Sequence, residues 1–73
     1  MARISKEQYK VNLDITFYFI KDYIKKNGYA PTYREIAEGT NKTLDTIFNH
    51  LRKLREEKRI DFVDTRSRTI RIK

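Results

Sequence analysis

Asn27-Gly28-Tyr29-Ala30-Pro31-Thr32-Tyr33-Arg34-Glu35-Ile36-Ala37, followed after a short polar run by Thr43 and a helix-spaced Leu44, Ile47, Leu51 and Leu54, is the stretch that decides the fold. Asn27-Gly28 ends a helix, with glycine supplying the left-handed C-terminal conformation. Tyr29 to Pro31 then runs extended, because the residue before a proline avoids the helical region. Thr32 and Glu35 stand three apart as a capping box, so a short helix starts at Tyr33, reaches about residue 38, stops near Gly39 and buries Ile36 and Ala37. Thr40-Asn41-Lys42 has room only for a tight turn, where asparagine tolerates a positive φ. Thr43 caps a third helix over about 44–57, with Leu44, Ile47, Leu51 and Leu54 on its apolar face. Asp45, Thr46, Asn49, Arg52 and Lys53 lie opposite.

Upstream, Ser5 and Gln8 have capping-box spacing, and Tyr9, Leu13, Phe17, Ile20 and Ile24 recur on one face of a first helix over about 6–27. Val11, Ile15, Phe19 and Tyr23 form a second apolar stripe. It is either covered by the rest of the core or offers a homodimer contact. Asn12 is an alternative N-cap, which would leave 1–11 as a separate arm. Downstream, residues 60–64 and 69–73 alternate with period two, predicting a β-hairpin over about 60–72 with Ile60, Phe62, Ile70 and Ile72 inward and Thr65-Arg66-Ser67-Arg68 as its loop. Two strands alone are marginal in water, so the hairpin must pack on the helices. The expected fold is α+β and mainly α: one winged helix-turn-helix domain spanning 1–73, three helices followed by a two-stranded wing.

Composition narrows the function. The chain has 73 residues, 38% hydrophobic and 37% charged, with no cysteine, so disulfides and thiolate metal sites are excluded and packing alone must hold the fold. No segment has the apolar length of a signal peptide core or a membrane span, and cytoplasmic residence is expected, on the nucleoid if the source is bacterial or phage. Net charge is +7 and the pI near 9.9. From Lys42 onward ten Lys or Arg stand against five carboxylates, so most of the excess is C-terminal. Such a balance points to nucleic acid, with solubility or anionic lipid as the alternatives.

Two helices joined by a turn of three or four residues, with a polar face on the second, form the arrangement that places a helix in the DNA major groove. Thr43, Asp45, Thr46 and Asn49 are the base-reading candidates: asparagine pairs with adenine in bidentate fashion, and threonine offers a hydroxyl and a methyl. Arg34, Lys42, Arg52 and Lys53 are assigned to phosphates, and Arg66 and Arg68 at the wing tip to phosphate or a narrow minor groove. His50, the sole histidine, lies beside the apolar stripe and is read as a partly buried, hydrogen-bonded imidazole. No nucleophile and base pair, carboxylate constellation or phosphate-binding glycine loop is present, so no enzyme, cofactor, metal or small-molecule ligand is expected. A protein-interaction winged helix, or a binder of RNA or of a replication origin, remains as an alternative.

Residues 27–37, then His50-Leu51-Arg52-Lys53-Leu54, then Ile60-Asp61-Phe62-Val63 and Ile70-Arg71-Ile72 resemble the N-terminal DNA-binding domain of the LexA repressor family, in order and spacing, from about residue 15 to 72. Gly-x-x-Pro-Thr-x-x-Glu-Ile-Ala, beginning at Gly28, is the most specific part. The resemblance implies a third helix docked in the major groove, a wing along the backbone, and repression by operator occupancy. It also places Asp45, Phe48 and Asn49 at base-contacting positions where those repressors carry one asparagine and two glutamates, so their operator sequence does not transfer. The turn before the third helix is one residue shorter than in the family. Lys58 stands where many such domains have glycine, so either a left-handed lysine or a looser cap is expected there. The serine-lysine self-cleaving half of those repressors has no counterpart in these residues.

Overall fold

A computed structural model describes residues 6–66 and 68–73, with the backbone alone at Lys6. The Ser5 cap and Ser67 in the hairpin loop therefore lie outside the described residues. Three helices, α1 (Lys6–Asn27), α2 (Tyr33–Thr40) and α3 (Leu44–Glu56), precede a two-stranded antiparallel sheet, β1 (Ile60–Asp61) and β2 (Arg71–Ile72), in which Ile60 pairs with Ile72 and Asp61 with Arg71.

Local chemistry sets most boundaries. Gly28 takes φ 79° and its N–H closes α1 on Ile24 O at 2.8 Å. The capping box at α2 is complete: Thr32 Oγ1 accepts from Glu35 N at 3.1 Å, and Glu35 Oε1 accepts from Thr32 N at 2.8 Å. Such caps contribute about 1 kcal/mol. Thr43 caps α3 through Thr46 N. Lys58 closes α3 in the left-handed region at φ 61°, as the missing glycine requires, and Arg59 N donates to Leu54 O at 3.0 Å.

Gly39 departs from its expected role. Helix α2 continues through it to Thr40 and is capped by Asn41 at φ 57°, where Lys42 N donates to Ala37 O at 2.9 Å. Glycine stands there because α1 crosses closely: a Cβ on Gly39 would overlap the ring of Phe19. Gly39→Ala should therefore destabilise the fold by about 1–3 kcal/mol through overpacking, partly offset by alanine's helix propensity, worth up to ~1 kcal/mol. In a Phe19→Ala background the same change should become neutral or stabilising. Thermal unfolding of the four proteins measures this coupling, and equal effects in both backgrounds would refute the close-approach explanation.

The core collects under α3. Leu13 and Ile20 of α1, Ile36 and Ala37 of α2, Ile47, Leu51 and Leu54 of α3, and Ile60, Phe62 and Ile70 of the wing are buried. Phe17, Phe19, Ile24, Tyr33 and Ile72 pack against them at the edge. Leu44 is not part of this face, being 39% exposed. The strands are also shorter than the alternation predicts. Asp61 Oδ1 takes the Phe62 N–H at 2.9 Å, and Arg68 turns into the left-handed region at φ 58°. Between them the Thr69 hydroxyl replaces the ladder, accepting from Val63 N at 2.9 Å and lying 3.3 and 3.2 Å from the carbonyls of Val63 and Arg66. The wing is a side-chain-tied loop on a two-residue stem.

Candidate nucleic-acid interface

Helix α3 buries Ile47, His50, Leu51 and Leu54, so Asp45, Asn49 and Arg52, spaced four and three apart, form an exposed ridge on the other side. Thr43 is exposed, and its hydroxyl, besides capping, donates to Thr46 Oγ1 at 2.9 Å. That leaves the Thr46 proton free to reach outward. Lys42, Thr43, Thr46 and Asn49 surround one cleft beside Tyr9, Asn12, Asn41 and His50. Arg34 borders a second hollow with Thr32, Tyr33, Leu44 and Phe48, and Arg52 a third with Phe48, Phe62 and Asp64. Phe48, which lines both of those hollows, is half-buried, with its ring edge-on to Tyr33 at 5.0 Å.

The cations divide into two groups. Among the described residues, no carboxylate lies within ion-pair distance of Arg34, Lys42, Arg52 or Arg66, and Lys53 has only Glu56 at 4.0 Å. Arg55 instead pairs with Asp64 at 3.1 Å and lies over the Phe62 ring, and Arg59 pairs with Asp14 at 3.0 Å and lies over Phe17. Those two bind the protein to itself.

Arg68 joins the second group, contrary to its expected place at the tip. Its guanidinium folds back onto α2, meeting Glu35 in a two-point pair at 3.1 and 3.3 Å, donating to Ala30 O at 3.0 Å and lying 4.9 Å from the centre of the Tyr29 ring. The backbone at Arg68 is left-handed, at φ 58°. The Thr32 N–H holds the Glu35 carboxyl below its usual range, and Arg68 acts in the same direction. Arg66 keeps its side chain outside.

Two contacts of this interface have no signal in the sequence pattern. The Tyr33 hydroxyl shares its proton between Val63 O at 2.8 Å and Arg66 O at 2.7 Å, fixing the wing to the start of α2. His50, 3% exposed, meets Thr16 Oγ1 at 2.8 Å through Nδ1, which joins α3 to α1. Burial first, and then the charge of Lys42, hold its pKa below the ordinary 6.5. Both bonds link residues 30 or more positions apart, beyond the reach of periodicity.

A turn-linked α2 and α3 on α1, a wing tied to α2, and an exposed ridge flanked by unneutralised cations define a winged helix-turn-helix nucleic-acid-binding module. The family model described as LexA DNA binding domain matches residues 1–69, and the chain belongs to that family. It is 33% identical over 73 residues to the LexA repressor of Shouchella clausii, covering 99% of this chain and 33% of that protein. It is 44% identical over 39 residues to the LexA repressor of Syntrophobacter fumaroxidans, 52% of this chain and 19% of that protein. The LexA repressor of Carboxydothermus hydrogenoformans is 34% identical over 55 residues, 74% of this chain and 27% of that protein. The chain thus spans between about a fifth and a third of these curated relatives. No helix among the described residues is long and apolar enough to cross a membrane.

Proposed function

We propose that this chain binds double-stranded DNA sequence-specifically and represses transcription by occupying an operator, through binding rather than catalysis, in the cytoplasm at the nucleoid. The observation that carries the reading is the α3 ridge of Asp45, Asn49 and Arg52 in a chain that belongs to the LexA DNA-binding family. In this reading α3 enters the major groove with Thr46 and Asn49 as principal readers, Asp45 accepting from a cytosine amino group and Thr43 acting mainly as a cap. Arg34, Lys42, Arg52, Lys53 and Arg66 position the module on phosphates, and Arg68 acts indirectly by holding the wing.

Selection of bound genomic fragments identifies the site, and Asn49→Ala then tests the reading face. Asn49 is neutral and exposed, so its loss should cost about 1–3 kcal/mol at one base pair of the site while leaving the salt dependence and random-duplex affinity nearly unchanged. Equal losses across all single-base variants of the site would show that Asn49 does not read a base. Tighter binding to RNA than to duplex DNA would refute the DNA assignment.

A second reading concerns assembly. Val11, Ile15 and Tyr18 are 50%, 47% and 58% exposed, a stripe at four- and three-residue spacing on the outer side of α1. We infer a homodimer through this stripe, which would match a palindromic operator. Sedimentation should show self-association that Ile15→Glu removes without lowering Tm. A monomer at all concentrations, with and without operator, would refute it.

A further inference from the structure

We propose that the cleft between the N-terminal half of α1 and the start of α3 seats one phosphate of the DNA backbone, with the buried His50 as a neutral donor at its floor. This rests on the DNA-binding reading above and names an atom-level partner for it.

The argument starts with a proton. Thr16 is fully buried, and its hydroxyl has no partner among the described residues besides His50 Nδ1. A buried hydroxyl proton needs an acceptor, and Nδ1 is the one available. Thr16 therefore donates to Nδ1, which makes Nδ1 the unprotonated nitrogen and puts the ring proton on Nε2. Every fully buried side-chain nitrogen and oxygen among the described residues has a partner, yet Nε2 has none, so it is the part of the ring that reaches the cleft wall. Burial and Lys42 keep the imidazole neutral at pH 7, so what reaches the cleft is an N–H donor.

The rest of the cleft has the same character. Its volume is about 460 Å³, and among the described residues no carboxylate lines it. Asn12 accepts from Gln8 through Oδ1 and leaves both Nδ2 protons unused. Lys42 brings a charge with no carboxylate within ion-pair distance among the described residues. A concave site of converging donors without a carboxylate fits a compact, acceptor-only anion, which is what a phosphate group is. Asn49 lines the same cleft, so a phosphate seated there would lie beside the proposed reading ridge.

The test varies charge at Asn12, which lies on α1 rather than on the α3 ridge, and tolerates a carboxylate because its own oxygen already accepts. Random-sequence duplex is titrated at about 0.15 M salt, where charges beyond about 8 Å are largely screened. Asn12→Asp should weaken binding about tenfold, and Asn12→Lys should tighten it several-fold and steepen the salt slope by about one unit. Thermal unfolding confirms that both variants fold. The His50 Nε2–H signal of the wild-type protein should shift with duplex but not with inorganic phosphate up to tens of millimolar. Affinities of both variants within twofold of wild type overturn the cleft assignment and leave DNA binding intact. A His50 shift with inorganic phosphate and none with duplex makes the cleft a free-anion site and also overturns it. Absence of salt-dependent duplex binding by the wild type removes the functional reading and this inference together.

Discussion

Binding to duplex DNA should weaken by about 10²–10³-fold between 50 and 200 mM monovalent salt, because about five phosphates are neutralised and each contributes about 0.9 to the log–log slope. The count comes from the ion pairs rather than from the net charge of +7. Ten cationic side chains follow Lys42 inclusive, but Arg55, Arg59 and Arg68 are held by Asp64, Asp14 and Glu35. Arg71 has Asp61 at 3.9 Å across the stem. Of the six left, Lys58 follows α3 and Lys73 follows β2, away from the ridge, while Lys42, Arg52, Lys53 and Arg66, joined by Arg34 of α2, make five around α3 and the wing. A slope near −4 to −5, measured by anisotropy over a salt series, is the expected result. A slope near about −8 would mean that the paired arginines open onto DNA, and a flat dependence would end the DNA-binding reading altogether.

The same division explains what the sequence makes legible. Signals that act within four residues are read correctly: the Thr32–Glu35 box, the Thr43 cap, left-handed Asn41 and left-handed Lys58 all occur where residue chemistry requires them. Gly39 is misread because a glycine near a helix end has two causes, conformational freedom or close approach. Only the position of Phe19, twenty residues upstream, separates them. Arg68 is misread for a similar reason. Its loop position suggests solvent, whereas its destination is set by Glu35, Ala30 and Tyr29 on another element. The strands look longer in sequence than in the fold because alternation at 62–64 and 69–70 persists where a threonine hydroxyl has replaced backbone pairing. At the interface, the polar residues of α3 are legible from periodicity, but the cleft is not: Asn12 and His50 meet there from separate helices.

Leu51→Ala should cost about 2–5 kcal/mol and leave much of the protein unfolded at 37 °C, because a chain of this size has about 5 kcal/mol or little more to lose. Leu51 has no exposed surface and sits in the core with Ile20, Ile36, Ile47 and Ile60. Deleting its isobutyl branch removes transfer energy and leaves a cavity that the rigid α1 and the wing stem cannot both close. Leu44 belongs to the same apolar repeat in the sequence, and periodicity alone assigns it an equal loss. The fold assigns it much less: at 39% exposed, in the first turn of α3 and bordering the Arg34 hollow, it has little burial to lose, and alanine is a better helix former. Leu44→Ala should therefore stay within about 1 kcal/mol of wild type. Urea unfolding of the two variants decides between pattern and structure. Similar large losses would place Leu44 in the core and rotate α3 about its axis, taking Asn49 and Arg52 out of the ridge proposed to meet DNA. A large loss at Leu51 alone supports the helix rotation on which the reading face depends, because the buried and exposed sides of α3 are fixed by the same angle.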